Sequence, residues 1–393
     1  MKTGIRVLVL TLLTFSLIHP QNNSDKNKPS IPAERFYDSS HHWYDIKDED
    51  KMITPRADQK RYSADDYKKI AENILLYQKS NGGWAKNYDM LAVLTKEQRD
   101  SVLKYKDATT TTFDNGSTHS HIEYLCQAYF RSKDKRFKDA CVKGLKFILA
   151  AQYNNGGWPQ FFPDTSGYRK YITFNDGAMT GVMKLLQKFV DRDPQHLFLE
   201  KDLYSQVKKS YQKGLACILK CQIKEEGKLL VWCQQHDNVT LLPQSARTFE
   251  PAAICNGESS EILLFLMGIK DPSKKIISSI QSAVKWLDES KILGLKVEEI
   301  SAPKTVYKYH TTSSDRIVVT DPSAPPIWTR FTELKTHKPL FCNRDSKPVY
   351  SLAEVDRERR TGYTWYLYSP QEVINKYPEW QKRWSRDADV LKK

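Results

Sequence analysis

Two short polar stretches carry the side chains best suited to act on a substrate. "TTTTFDNGSTHSH" sets Asp114 and Asn115 in a loop ahead of a helical pattern, and "YITFNDGAMTGV" sets Asn175, Asp176 and Gly177 ahead of the next. Both are also good turn and helix-capping sequences in their own right. Short oxygen ligands at two loop ends suit a hard cation such as calcium. Two carboxylates equally suit the acid and base of glycosidic hydrolysis. His119 and His121 follow the first turn, and without carboxylates at ligand spacing they read as surface or supporting residues.

Arginines supply the opposite charge. Arg247 in "SARTFEPAAICNGESS", Arg316 in "SSDRIVV", Arg330 in "PPIWTRFTEL" and Arg344 in "FCNRDS" each stand beside apolar or aromatic residues. Taken singly, each reads as an ion pair, that of Arg330 with Glu333. A planar guanidinium also meets a carboxylate at two points, so four of them suit a chain of uronic acids.

The elements that must position these groups are mainly helices. Trp84, Trp158 and Trp232 are evenly spaced, since 158 − 84 = 74 and 232 − 158 = 74. The contexts "LLYQKSNGGWAKNYD" and "ILAAQYNNGGWPQFFPD" agree, and "ILKCQIKEEGKLLVWCQQHD" keeps the glutamine and the tryptophan. A fixed period means a unit stacked or wound several times. Apolar residues at helical spacing in "YKKIAENILLYQKS", "ACVKGLKFILAAQY", "DGAMTGVMKLLQKFV" and "GESSEILLFLMGI" predict an α/α-toroid-like scaffold. The segment from "KTVYKYHTTSSDRIVV" to "GYTWYLYSP" is rich in β-branched and aromatic residues, and predicts short strands and long loops over the cleft mouth.

The chain opens with Lys2 and Arg6, an apolar run from Val7 to Ile18, and polar residues after it. That order predicts a signal peptide over 1–20, a flexible segment over 21–60 and a single catalytic domain over 61–393, in a secreted or periplasmic protein. The seven cysteines match no zinc spacing and read mostly as buried thiols, with room for one disulfide. A net charge of +14 suits a polyanionic partner. No clustered basic arm points to nucleic acid, no membrane association is expected once the leader is removed, and a monomer is expected.

The motifs "YQKSNGGWAKNYDM", "FDNGSTHSHIEYL", "NNGGWPQFFP", "YITFNDGAM", "RTFEPAAICNGES" and "DRIVVTDPSAPPIWTRFTELKTHKPLFCNRDS" occur in this order. Together, from about Tyr77 to Tyr368, they resemble polysaccharide lyase family ten, the pectate lyases. The resemblance implies calcium-assisted β-elimination of polygalacturonate. It makes Arg330 the catalytic base, places Asp114 and Asn115 beside the scissile region, and puts Asp176 at the calcium. Arg247, Arg316 and Arg344 match family arginines that contact uronate groups. Thr329 stands where alanine is frequent, and Gly177 where a second aspartate is frequent.

An arginine base requires its charged form to be disfavoured. Desolvation by Trp328 and Phe331, calcium and the other arginines are the expected causes, with an alkaline optimum as the consequence. Three rivals remain. The "QxxxGGW" strings at Gln78 and Gln152 resemble triterpene cyclases, but no "DxDD" or "DDxxD" accompanies them. The others are a glycoside hydrolase using Asp114 and Asp176, and a non-catalytic binder of acidic glycans.

Overall fold

Four tryptophans, rather than three, organise the chain. Trp84, Trp158, Trp232 and Trp328 are fully buried, and each indole N–H reaches back to the end of a helix. The computed structural model describes residues 30–45, 51–385 and 389–391; the expected signal peptide lies outside them. The four helices in question are α2 (Tyr67–Tyr77), α5 (Lys135–Ala151), α7 (Lys201–Cys221) and α9 (Lys274–Glu289). The last carbonyls of a helix have no partner within it. Nε1 of the four tryptophans donates to Ile74 O (2.8 Å), Ile148 O (2.8 Å), Ile218 O (2.7 Å) and Leu287 O (2.8 Å), one last-turn carbonyl per helix.

The glutamines of the repeat are the second device. Gln78, Gln152 and Gln222 cap the C-termini of α2, α5 and α7. Each amide Nε2 bonds a carbonyl of its own loop and one on the next helix of the layer. The latter are Ala140 O on α5 (3.0 Å), Ser210 O on α7 (2.9 Å) and Ser279 O on α9 (3.1 Å). One layer is thus stitched side by side.

A second layer consists of α4 (His119–Ser132), α6 (Ala178–Val190), α8 (Asn256–Met267) and α11 (Ser369–Trp384). Its members pack in sequence against one another, and α4, α6 and α8 each pack on the first-layer helix that follows. This is the mainly α, toroid-like arrangement that the helical periodicity predicts. Helices α3 (Lys96–Lys104) and α10 (Arg357–Gly362) lie in the connections. All seven cysteines are free and buried, and Cys217 and Cys221 share one face of α7 with their sulfurs 3.9 Å apart. No described helix is long and apolar enough to cross a membrane.

The C-terminal part differs from expectation in one respect. Most of its strands are short, but Leu295–Val306 and Thr311–Thr320 form a long antiparallel hairpin. Shorter strands hold Arg330 in place from both sides. Trp328–Thr329 pairs with Tyr366–Leu367, and Phe331–Thr332 lies between Ile254–Cys255 and Pro339–Cys342.

The segment 21–60 is not simply flexible. Among its described residues, a 3-10 turn over Glu34–Phe36 leads into α1 (Tyr37–Asp45), and the folded unit begins at Ile31 rather than at residue 61. Ile31, Phe36 and Trp43 are buried, which supplies the apolar contact that a polar composition conceals.

Candidate active site

Two turns of the same shape bring the acidic residues together. Phe113 and Phe174 each precede a 3-10 turn, Asp114–Gly116 and Asn175–Gly177. In both, the middle residue is left-handed: Asn115 has φ 49° and Asp176 has φ 49°. Asn and Asp tolerate this conformation better than other side chains. The Phe113 N–H donates to Gln160 O (3.0 Å), and the Phe174 N–H to Gln234 O (2.9 Å).

A third connection leads into a helix of the same layer. Cys255-Asn256-Gly257 opens α8, and the Asn256 N–H donates to Arg330 O (3.1 Å). Gln160, Gln234 and Arg330 each lie two residues after a repeat tryptophan, as does Lys86. Arg330 therefore occupies a repeat position, the fourth copy of one that elsewhere holds lysine or glutamine.

These side chains converge. The Lys86 ammonium pairs with Asp114, whose other oxygen accepts from Gln160 Nε2 (2.9 Å). Burial opposes ionisation of Asp114, but Lys86 and Gln160 outweigh it and hold the carboxyl below its ordinary range. Among the described residues Asp176 has no such cation in contact. Enclosure by the surrounding chain, then the charge of Asp114, push its pKa up, to about 8. The carboxylate itself is exposed and opens onto the cleft.

Arg330 Nη2 donates to Asn175 Oδ1 (3.0 Å) and Glu258 Oε1 (2.6 Å), and the guanidinium lies 4.7 Å from the Tyr363 ring centre. Its ion-pair partner is Glu258 of α8 rather than Glu333, which bonds Thr336 and Tyr350. Burial disfavours the charge, but Glu258, Tyr363 and Asp176 together raise the pKa of Arg330. The expected loss of charge among positive neighbours is therefore not the resting state. The rings beside the guanidinium are those of Phe331, at 5.8 Å as expected, and of Tyr363, while the Trp328 indole N–H bonds Leu287 O. Arg330 Nε and Glu258 Oε2 are both buried without a hydrogen-bond partner.

A cavity of ≈ 940 Å³ opens over the two turns. Asp114, Asn115, Asn175, Asp176, Lys86, Gln160, Arg247, Arg344 and Tyr363 all line it. Arg330 lies just beneath its lining, against Asn175 and Tyr363. The arginine wall is built around Phe249, with Arg247, Arg344 and Arg359 at 4.9, 5.2 and 4.7 Å from its ring centre. Arg247 holds Glu250 through Nε and Nη2 (2.8 and 2.5 Å), and Arg344 holds Glu358 the same way (2.9 and 3.0 Å). Each bridge leaves Nη1 outside it. Asn115 is tied down by Asn87 Oδ1 (3.0 Å) through its amide.

Arg316 is not brought to this cavity. It bonds the Tyr363 carbonyl (3.1 Å) from the hairpin and lines a separate cavity of ≈ 190 Å³, so it supports the backbone of Tyr363. His121 is a core residue rather than a surface one, stacked on Trp84 with ring centres 5.2 Å apart, and burial lowers its pKa to about 3. His119 packs on the opposite side of the turns, in a second cavity with Gly116 and Gly177.

The sequence reading missed Lys86, Gln160, Phe249, Glu250, Glu258, Arg359 and Tyr363. A tryptophan followed two residues later by Lys, Gln or Arg would have found Lys86 and Gln160. The Asn-Gly at 256–257 would have pointed to Glu258.

The residues fit a cation in part. The acids of the two turns face one cavity with Lys86 beside them, and the Oε1 of Gln160 is buried without a partner among the described residues. Among the described residues, no three His, Cys, Asp or Glu side chains form a metal-holding group.

A family model described as pectic acid lyase matches residues 78–374. Solved structures of family 10 polysaccharide lyase from Cellvibrio cellulosa are similar at 27% identity and a TM-score of 0.69, covering 79% of this chain and 91% of that one. An aspartate-to-alanine mutant of that lyase, in complex with trigalacturonic acid, matches at the same identity and TM-score over 92% of its length. The comparison with curated proteins gives no match.

Proposed function

The chain belongs to the pectic acid lyase family, and from that premise we propose that it cleaves α-1,4-linked polygalacturonate by calcium-assisted β-elimination with Arg330 as base. The observation that carries this reading is the meeting of two acidic turns and an arginine wall in one cavity, with Arg330 against the second turn. The complex of the Cellvibrio lyase with trigalacturonic acid supports an acidic polysaccharide as substrate. Export to reach that polymer fits the apolar leader of the sequence.

The uronate carboxylates bind Arg247 and Arg344, whose glutamate bridges orient the guanidinium planes in advance. Asp176 would hold calcium, with Gln160 Oε1 as a neutral oxygen, while Asp114 stays paired with Lys86 beside the scissile region. Calcium takes about six to eight oxygen ligands, so the uronate itself has to complete the set. When bound, the ion supplies positive charge beside the uronate, which stabilises the developing enolate and weakens the hold of Arg330 on its proton. Arg330 would first release its own proton to solvent and, as the neutral base, take the proton from C5. The electron pair forms the C4–C5 double bond as the C4–O bond breaks, and the departing oxygen is protonated from water.

The ion pair with Glu258 favours a second reading of the same residue. A guanidinium held at 2.6 Å from a carboxylate is suited to remain charged and to stabilise the anion, with the proton going elsewhere. The pH–rate profile separates the two. A base that must first lose a proton gives turnover that climbs with alkaline pH, whereas a permanent charge gives a flat limb there.

The test follows unsaturated uronide by absorbance during incubation with polygalacturonate and calcium. Arg330→Ala should lower kcat by about 10²–10⁴-fold while trigalacturonate binding persists. Near-normal turnover in that variant would remove Arg330 from the chemistry. New reducing ends without absorbance would favour hydrolysis, and binding without either product would favour a glycan binder.

A further inference from the structure

Helix α1 lies before the family-matched residues 78–374, yet it forms part of the cavity that the lyase reading assigns to substrate. Asp38, His41, His42 and Asp45 all line that cavity. They fall at i, i+3, i+4 and i+7, which is one face of a helix. The opposite face is fastened down. Phe36, just before the helix, packs on His121 and Tyr124 at 5.1 and 5.6 Å between ring centres. Ser39 Oγ donates to the carbonyl of Asn115 in the first acidic turn (2.9 Å). Trp43 is buried, with its N–H on Ile53 O (3.1 Å), and the Tyr44 hydroxyl bonds Asp89 (3.0 Å). Lys51 closes the C-terminal end on the carbonyls of His42 and Trp43 (3.1 and 2.8 Å). The polar face is therefore held against the cleft by five separate contacts, one of them to the turn that carries Asp114.

The charge on this wall is the reverse of the arginine wall. His41 Nδ1 lies 2.6 Å from Asp45, and His42 Nε2 lies 3.5 Å from Asp38. The two carboxylates, Asp38 and Asp45, line the cavity together with the Lys86–Asp114 pair. Across the cavity, Arg344 and Arg359 share the single carboxylate of Glu358, which leaves net positive charge there. A free uronate is thus welcome at one wall and repelled at the other.

Resting on the lyase reading, we propose that α1 is a specificity element whose carboxylates Asp38 and Asp45 make the adjoining subsite prefer a methyl-esterified galacturonosyl residue over a free uronate. The ester removes the charge that would face the two carboxylates and leaves the rest of the sugar unchanged. The polymer best suited to the whole cleft is partly esterified galacturonan rather than the fully de-esterified acid.

The experiment compares kcat/KM on fully de-esterified polygalacturonate with that on a partly methyl-esterified galacturonan of matched length. Wild-type protein is set against Asp38→Asn/Asp45→Asn, whose changed side chains are half-exposed and leave the buried face of α1 intact. Charges this open to water act weakly, so the preference should move about three- to tenfold toward the de-esterified polymer. High salt should shrink the wild-type preference in the same direction. An unchanged ratio in the double variant overturns the proposal, even with the lyase activity intact. If neither polymer yields unsaturated product, the lyase reading itself has failed. Calorimetric affinities for the same two polymers then decide: a shifted ratio sustains the role of α1, and an unshifted one ends it.

Discussion

The turns at Asp114–Gly116 and Asn175–Gly177 share a backbone and exchange two side chains. Each has a phenylalanine before it, a left-handed residue in the middle and a glycine at positive φ after it. In the first turn the acid comes before the left-handed position and in the second it occupies it. The acid of the first turn is neutralised by Lys86, and the amide of the second accepts from Arg330. Among the described residues Asp176 keeps only its neighbour, Asn175 Nδ2 at 2.6 Å, and it opens onto the cavity. One geometry thus yields a built-in ion pair on one side and an anionic ligand without a cationic partner of its own on the other. Swapping Asp and Asn converts a structural carboxylate into one suited to a metal or substrate.

Breaking that asymmetry should have its largest effect at Asp176. Asp176→Asn removes the carboxylate with no bonded cation, so activity should fall by about 10²–10³-fold, the scale expected for an electrostatic group at a reacting centre. Its resistance to denaturant should hold or rise, because a crowded charge has gone. Asp114→Asn should also impair activity, but its distinguishing mark is stability. The Lys86 ammonium loses its partner while remaining mostly enclosed, a cost of about 1–3 kcal/mol by denaturant unfolding. If both variants lose activity and keep full stability, the division of roles between the turns is wrong.

The two acids should also give opposite pH dependences to folding. The folded-state pKa of Asp114 is depressed, so its contribution is present above the unfolded value and is lost as pH falls through the folded one. Asp176 has a raised folded-state pKa. Its contribution is present below the unfolded value near 3.8 and is lost as pH rises toward about 8. Without calcium, Tm should therefore fall across that window in wild-type protein and fall less in Asp176→Asn. Added calcium should restore the wild type at the alkaline end and leave the variant unmoved. Parallel curves for the two proteins would show that Asp176 titrates normally.

How much of this was legible depended on distance along the chain. The helices, the tryptophan period and the two acidic turns could all be read locally. The fourth repeat could not, because 328 − 232 = 96 breaks the period. The hairpin Leu295–Thr320 lies between α9 and Trp328 and accounts for the extra length. The partner of Arg330 was assigned to the nearby Glu333, whereas Glu258 comes from another unit of the winding and reaches Arg330 only when the layers are assembled. Arg316 matched a family position by motif, yet the hairpin that carries it delivers it to the backbone of Tyr363. Helix α1 was hidden for a different reason. Its apolar contacts are few, and charged residues dominate its exposed side.

The smallest expected difference tests whether the two turns are equal in backbone and unequal in surroundings. Gly116 and Gly177 sit at φ +71° and +67°, so a Cβ at either carries the same left-handed strain, about 1–2 kcal/mol. Their neighbours differ. A Cβ at Gly116 would lie 2.9 Å from the carbonyl oxygen of Arg35, which is backbone and part of the segment that seats α1. At Gly177 the nearest atom is Glu261 Oε2, at 3.5 Å, an ordinary contact with the end of a flexible side chain. Gly177→Ala should then show only the strain, whereas Gly116→Ala should cost roughly 1 kcal/mol more and displace the Arg35 backbone. Because Arg35 leads into α1, proteolysis near residue 35 should accelerate in Gly116→Ala and not in Gly177→Ala. Equal losses in the two variants, with equal protease resistance, would mean that the N-terminal segment does not bear on the first turn as its contacts with Asn115 and Gly116 indicate.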